Sequence, residues 1–125
     1  MQDSLFVQEG FALMGAAFEV HKELGGGLAE EIYQQSFEIE LSLRSIPFIS
    51  KCPTAVAYKG RSLTKEYFPD LFVQGGIIVE LKAVSRLLSE HEAQILNYLR
   101  ITRHRVGYLI NFGPLDKVEW RRFVL

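Results

Sequence analysis

The chain has 125 residues, 48% of them hydrophobic, which is enough to bury one sizeable core and fits a single domain over residues 1–125. Its 14 Lys and Arg residues against 15 Asp and Glu residues give a formal net charge of -1, which excludes a globally positive nucleic-acid-binding surface. No apolar run reaches the roughly 20 residues of a membrane-spanning helix. The start of the chain, MQDSLFVQEG, lacks the basic flank of an export signal, and one cysteine, Cys52, excludes an internal disulfide. We therefore expect a cytoplasmic protein that does not enter a membrane.

The first two predicted elements are helices. Apolar residues recur at helical spacing from Glu9 to Leu24 and predict a first helix, which the glycines at 25–27 end. Its apolar positions are Phe11, Leu13, Met14, Ala17, Phe18 and Leu24. The segment LAEEIYQQSFEIELSLRS has the same spacing and predicts a second helix from Leu28 to the residues before Ile46-Pro47.

From Phe48 the hydrophobic period changes to that of strands. The segments FISKCPTAVAY and SLTKEYFPDLFV predict two strands joined by a turn at Lys59-Gly60. Gly75-Gly76 supplies the positive φ angles of a tight two-residue hairpin turn. The residues from Ile77 to Lys82 are therefore expected to pair antiparallel with the strand around Asp70.

The last third of the chain predicts one helix and two strands. The segment SEHEAQILNYLRITRH has helical spacing, with Ser89 as the N-cap and Glu92 completing a capping box. RVGYLIN and VEWRRFVL follow as strands around a Gly113-Pro114 turn. The strands on either side of this third helix could lie parallel through a crossover. The order of elements predicts one α+β domain.

The strand IIVELK carries two charged residues at its end. Side chains alternate along a strand, so Glu80 and Lys82 share one face while Val79 and Leu81 share the other. Two ionised groups beside a buried sheet cost several kcal/mol unless they pair or bind a metal. Across the hairpin Asp70 lies nearly opposite Glu80, and two converging carboxylates suit Mg²⁺ or Mn²⁺. Taken alone, Glu-x-Lys is more often a solvated charge pair, and that interpretation stays open here.

The segment VHKELGGGLAEEIYQQSFEIEL is similar to the signature of the GxxExxY proteins, matched at Gly27, Glu30 and Tyr33. That family is grouped with the PD-(D/E)XK nuclease superfamily, and the resemblance continues through YFPDLFV, IIVELKAV and HEAQILNYLRIT. It implies a restriction-endonuclease-like, α/β/α-like core with a mixed sheet of about five strands flanked by helices. We expect Tyr33 to be structural, packing its ring while its hydroxyl bonds a neighbour.

The resemblance also implies roles for individual residues. Asp70 and Glu80 correspond to metal ligands for a Mg²⁺ or Mn²⁺ cofactor, and Lys82 corresponds to the catalytic lysine. Glu30 is the candidate for an additional acid from an N-terminal helix, both catalytic and metal-binding. Gln94 is the candidate for a polar side chain that the following helix presents to a phosphate or a metal-bound water.

Three more residues are candidates for contacts to a substrate. Tyr98 lies four residues after Gln94 on the same helix face, and it either contacts the substrate or is a core aromatic. Arg100 and Arg103 belong to a basic cluster that either contacts nucleic acid or solvates a helix end, where cations are favoured.

The sequence therefore predicts a divalent-metal-dependent nuclease that hydrolyses phosphodiester bonds of nucleic acid. DNA is favoured over RNA, and a homodimer is one possible state. The alternative is a non-catalytic nucleic-acid- or protein-interaction module on the same fold, which small size and neutral charge favour. A third interpretation makes Glu80 and Lys82 only a structural ion pair.

Overall fold

A computed structural model describes residues 5–125; the first four residues, part of the stretch that argued against an export signal, lie outside them. The elements in chain order are α1 (Val7–Leu24), α2 (Glu30–Leu43), β1 (Phe48–Ser50), β2 (Ala57–Tyr58), β3 (Arg61–Ser62), β4 (Leu71–Val73), β5 (Ile77–Lys82), α3 (Ser89–Thr102), β6 (Val106–Asn111) and β7 (Glu119–Val124). This is the predicted α+β fold. Among the described residues no helix is both long and apolar enough to cross a bilayer.

Five strands form one mixed sheet in the order β1-β4-β5-β6-β7. β5 and β6 pair in parallel through the α3 crossover, as predicted, and the other neighbouring strands pair antiparallel. The short strands β2 and β3 form a separate two-stranded hairpin. The predicted turn at Lys59-Gly60 is confirmed, because Tyr58 pairs with Arg61 and both turn residues have positive φ.

The two faces of the sheet carry different helices. On one face α1 and α2 pack together over Ile77, Val79 and Leu81 of β5, and this layer is the main apolar core. On the other face α3 covers β6, where the side chains of Ile95 and Leu99 lie against Gly107. The alternation of β5 thus directs Glu80 and Lys82 to the α3 face, away from the main core.

The two long strands predicted between Phe48 and Val73 are wrong in their extent. Each is interrupted, so that β1 and β4 join the main sheet while β2 and β3 stand apart. Lys51 follows β1 with a φ of 53°, a left-handed conformation that a strand cannot continue. Pro53 lies in the same interruption and Pro69 in that of the second strand, and a proline nitrogen cannot donate to a ladder. A single bridge between Thr54 and Tyr67 connects the interrupted segments.

The β4–β5 hairpin turn is longer than predicted. Val73 pairs with Ile77, so three residues form the turn, and the positive φ angles belong to Gln74 and Gly75. Gly76 is required for a different reason: a Cβ there would lie 2.0 Å from the ring of Phe6. The predicted antiparallel pairing itself is confirmed.

The helix starts differ from the predicted ones by one or two residues. α1 begins at Val7 and α2 at Glu30. Ser89 is the first helical residue of α3, and the N-cap is Leu88. The Leu88 N–H donates a hydrogen bond to His91 Nδ1 at 3.0 Å. The predicted Ser89–Glu92 capping box is therefore wrong, because the imidazole occupies the position expected of the Glu side chain.

Tyr33 connects α2 to the glycine turn that precedes it. Its hydroxyl donates to the Gly25 carbonyl at 2.6 Å and accepts from the Leu28 N–H at 3.1 Å. Its ring is fully buried and stacks on Phe112 with centroids 4.9 Å apart. Tyr33 is thus structural, as predicted, because its hydroxyl is fully occupied in holding the start of α2.

The Tyr33→Phe variant tests that role. Removing the hydroxyl leaves two backbone groups without their partner, so we expect a loss of about 1–3 kcal/mol of unfolding free energy in urea denaturation. Tyr58→Phe is the matched control, because the Tyr58 side chain is exposed. Equal stability of the two variants would contradict the role assigned to Tyr33.

Candidate active site

Two carboxylates meet across the β4–β5 hairpin. The last paired residues of β4 and β5 are Leu71 and Val79, and one further step in the same register sets Asp70 opposite Glu80. Asp70 Oδ2 accepts the backbone N–H of Leu81 at 2.7 Å, which fixes its side chain against β5. The predicted apposition of Asp70 and Glu80 therefore follows from the pairing of the two strands.

Glu80 is held in a setting that favours its protonated form. Its carboxyl accepts a hydrogen bond from the Tyr67 hydroxyl. Burial raises the pKa of Glu80 to about 7, the Asp70 carboxylate adds to the rise, and the Tyr67 hydrogen bond opposes it. Burial of the Tyr67 hydroxyl, together with the Glu80 charge, raises the pKa of Tyr67, so the hydroxyl keeps its proton and remains a donor.

Asp70 is paired with a lysine that the sequence analysis did not select. Lys51 Nζ lies 2.9 Å from Asp70 Oδ1 in a partly exposed ion pair. The hydrogen bond to Asp70 raises the pKa of Lys51 and keeps its ammonium charged. Ser50 pairs with Leu71, so the register of β1 and β4 sets Lys51 opposite Asp70. Lys51, Asp70 and Glu80 therefore form one row across three strands.

Lys82 and Glu30 complete the charged group. Lys82 lies two residues after Glu80 on the same face and forms no ion pair with any residue of the range 5–125. Glu30 is the first residue of α2; loss of solvent around its carboxyl and the Asp70 charge raise its pKa, and Lys82 opposes the rise. The charges of Asp70 and Lys82 thus both act on the Glu30 carboxyl.

The donor set suits a hard divalent cation. Within residues 5–125 no group of three Asp, Glu, His or Cys side chains lies close enough to hold one ion. Mg²⁺ commonly takes only one or two carboxylates, and water and phosphate oxygens complete its coordination. Two carboxylates, those of Asp70 and Glu80, therefore suffice for a divalent cation. Glu30 lies near them but does not form a three-carboxylate cluster with them.

A cavity of about 480 Å³ opens beside Glu80 and Lys82 on the α3 face. Its lining residues are Val56, Leu63, Lys65, Glu66, Tyr67, Phe68, Glu80, Lys82, Gln94, Tyr98 and Ile101. Gln94 and Tyr98 thus reach the site as predicted from their spacing, and the Tyr98 ring stacks on Tyr67 with centroids 3.8 Å apart.

Arg100 and Arg103 do not line this cavity. Arg100 donates to the side chain of Asn97 at 2.7 Å, and Arg103 ends α3 in a left-handed conformation. The structure therefore separates them from the other candidate substrate contacts.

Sequence reasoning missed Lys51 and Tyr67, which contact the candidate metal ligands Asp70 and Glu80. Tyr67 could have been noticed from the sequence, because in YFPD it lies three residues before the predicted metal ligand Asp70. Lys51 had none, since its contact with Asp70 spans 19 residues and depends on the register of two short strands.

The chain matches solved and sequenced proteins over part of their length. It is 33% identical over 105 residues to a glutamyl-tRNA reductase of Dichelobacter nodosus, covering 81% of this chain and 24% of that protein. It is 30% identical over 96 residues to a glutamyl-tRNA reductase of Saccharophagus degradans, covering 74% and 23%. The chain thus spans about a quarter of the curated relatives it matches.

The crystal structure of SSO0001 shares the fold of this chain. The two superpose with a TM-score of 0.58 at 19% sequence identity, over 75% of this chain and 48% of the other. The family model of the PD-(D/E)XK nuclease superfamily matches residues 7–123. That match spans both carboxylates, the lysine and the helix that covers them, and the chain belongs to the PD-(D/E)XK nuclease superfamily.

Proposed function

We propose that this protein is a divalent-metal-dependent nuclease that hydrolyses phosphodiester bonds of nucleic acid. The observation that carries the proposal is the apposition of Asp70 and Glu80 across β4 and β5, with Lys82 next on the same face. Membership of a nuclease superfamily supports the same activity. In this proposal Asp70, Glu80, Lys82, Glu30 and Gln94 are the catalytic residues.

The proposed cofactor is Mg²⁺ or Mn²⁺, held by Asp70 and Glu80, with Glu30 as a further acid. A bound divalent ion supplies charge neutralisation at the scissile phosphate. Lys51 Nζ lies 2.9 Å from Asp70 Oδ1. This carboxylate oxygen must therefore release the Lys51 ammonium before it can bind a metal ion. Glu80 must lose its proton for the same purpose.

The protein's own side chains supply the remaining steps. Lys82, without an ion-pair partner among residues 5–125, is free to orient the attacking water and to stabilise charge developing on phosphorus. Gln94 lines the cavity from α3 and has an amide that donates to a phosphate oxygen. Tyr98 offers its hydroxyl or ring to the substrate. Arg100 and Arg103, outside the cavity, are left as candidates for a more distant phosphate contact.

A second candidate function is a non-catalytic interaction module. It is favoured by the partners that the acids already have, because Lys51 and Tyr67 satisfy Asp70 and Glu80 without any metal. Because both carboxyl groups already have hydrogen-bond partners, the fold does not need catalytic activity to explain them. The retention of both acids together with Lys82 favours the nuclease over this alternative.

Partners and location are narrower parts of the proposal. DNA is proposed over RNA, and the cytoplasm over other compartments, on the sequence argument. A homodimer would cover an apolar surface on α1, where Phe11 is 83% exposed beside Phe18 and Trp120. The apolar spacing of α1 grouped Phe11 and Phe18 with Leu13 and Met14. In the structure Leu13 and Met14 are buried, whereas Phe11 and Phe18 are exposed.

The Asp70→Asn and Lys82→Ala variants separate metal binding from chemistry. We expect each to lower the rate of DNA cleavage at saturating Mn²⁺ by at least about 100-fold, because each removes a charged group from the reacting centre. Calorimetry should show weakened Mn²⁺ binding for Asp70→Asn and retained binding for Lys82→Ala. The asparagine can still accept from the Leu81 N–H, so its fold is preserved.

Glu23→Gln and Lys22→Ala are the matched controls for these two variants. Both residues are exposed on α1, on the opposite face of the sheet from the cavity. Control variants should retain the wild-type rate. Cleavage that persists in both Asp70→Asn and Lys82→Ala would count against the proposed mechanism.

The raised pKa of Glu80 predicts a pH-dependent stability in EDTA. The folded protein binds this proton more tightly than the unfolded chain, so the stability contributed by the protonated group is present below about pH 4.5 and is lost as the pH rises toward about 7. The wild type should lose up to about 3 kcal/mol relative to Glu80→Gln between pH 5 and 8. Urea denaturation at each pH measures the difference.

Metal addition completes this test. At pH 8, Mg²⁺ should stabilise the wild type and leave Glu80→Gln unchanged, because an ion that binds only the folded state raises its stability. Glu23→Gln should follow the wild-type pH profile, since its side chain is exposed. Parallel pH profiles for the wild type and Glu80→Gln would show that Glu80 ionises freely.

A further inference from the structure

One wall of the cavity is apolar and open to solvent. Leu63, Phe68 and Ile101 all line it and are 47%, 50% and 43% exposed. Leu63 follows β3, Phe68 precedes β4 and Ile101 lies on α3, so three separate parts of the chain bring large apolar side chains to one place. Exposed apolar residues gathered in one concave surface are typical of a binding site.

The cavity carries no large excess of positive charge. Its lining includes two cations, Lys65 and Lys82, and two acids, Glu66 and Glu80. A surface that attracts phosphates alone would need an excess of cations. The binding energy available here is therefore mainly that of the apolar and aromatic wall, with Lys82 and Lys65 positioned for single phosphate contacts.

Aromatic rings continue this wall to the catalytic carboxylate. Tyr67 and Tyr98 stack with centroids 3.8 Å apart and an interplanar angle of 15°. Both rings line the cavity with Phe68, and the Tyr67 hydroxyl donates to Glu80. A planar ligand against these rings would thus lie directly beside the residues proposed to cleave a phosphodiester.

We propose that the apolar wall of this cavity, formed by Phe68, Leu63 and Ile101, is a binding site for one unstacked nucleobase of the substrate. The inference rests on the proposed function and assigns its substrate class. A base inside a continuous duplex is stacked on both sides and cannot enter the cavity, whereas a base of a single strand can. The substrate is therefore single-stranded nucleic acid, or the unpaired end of a duplex.

A nucleobase fits these features better than an aliphatic ligand. Every base has a π-face for Phe68 and Tyr98, and its attached phosphates match Lys82 and Lys65 at the polar side of the same cavity. The volume of about 480 Å³ lies within the ordinary range of small-ligand sites. Stacking of this kind is independent of base identity, so we expect little sequence preference.

The test compares two fluorescent probes in EDTA, where hydrolysis is prevented: a 15-nucleotide thymidine strand and a blunt 15-base-pair duplex. The wild type should bind the single strand more tightly than the duplex. Phe68→Ala should weaken single-strand binding by about 5- to 150-fold, the equivalent of one stacked base, and leave duplex binding within about twofold. Fluorescence anisotropy titrations measure both affinities.

Two further variants make the result specific. Ile101→Ala should repeat the effect from a different element, and circular dichroism should show both variants folded, since both side chains are substantially exposed. Phe11→Ala is the matched control, because Phe11 is 83% exposed on α1, on the other face of the sheet. It should bind both probes as the wild type does.

An abasic nucleotide placed at successive positions of the single strand tests the contact directly. One position should weaken wild-type binding and have no effect on Phe68→Ala, because the variant has already lost the stacking partner. Equal affinity of wild type and Phe68→Ala for the single strand would overturn the base site while leaving the nuclease proposal standing. Failure of the wild type to bind the single strand would also overturn the base site, while cleavage with Mn²⁺ tests the nuclease proposal separately.

Discussion

The register between β4 and β5 is the constraint on which the candidate site depends. It sets Asp70 opposite Glu80, and the neighbouring register of β1 and β4 sets Lys51 beside them. A slip of one residue would turn every side chain of β5 to the opposite face, placing Glu80 in the apolar core under α1 and α2. The burial of Val79 and Leu81 in that core excludes such a slip. Core packing and the orientation of the site thus have one cause.

Acids held beside a buried sheet require partners. Lys51 neutralises Asp70, and Tyr67 donates to Glu80 while burial favours its proton. These arrangements avoid an unpaired buried charge, whose cost is large. In the proposed nuclease, an ion held by Asp70 and Glu80 would replace the Lys51 ammonium on Asp70 and the proton on Glu80.

The parts of the site that follow from local periodicity could be predicted from the sequence. Strand alternation assigned Glu80 and Lys82 to one face, and helix spacing brought Gln94 and Tyr98 together. Arg100 was grouped with the site by its charge, although it lies about 120° around the helix from Gln94. Lys51 could not be predicted, because its position depends on strand pairing across 19 residues. The apolar wall likewise depends on the irregular segment between β3 and β4, which has no period to analyse.

The distribution of charge supports the proposed base site. A protein with a net charge of -1 has no long-range field that attracts a polyanion. Its cavity adds little, because the two lysines that line it, Lys65 and Lys82, lie with two acidic residues, Glu66 and Glu80. Non-specific duplex binding derives essentially all its affinity from phosphate contacts, which this surface provides sparingly. Stacking on Phe68 and the neighbouring tyrosines needs no net charge, and it is available only where bases are unpaired. The weak electrostatics and the exposed apolar wall therefore favour the same single-stranded substrate.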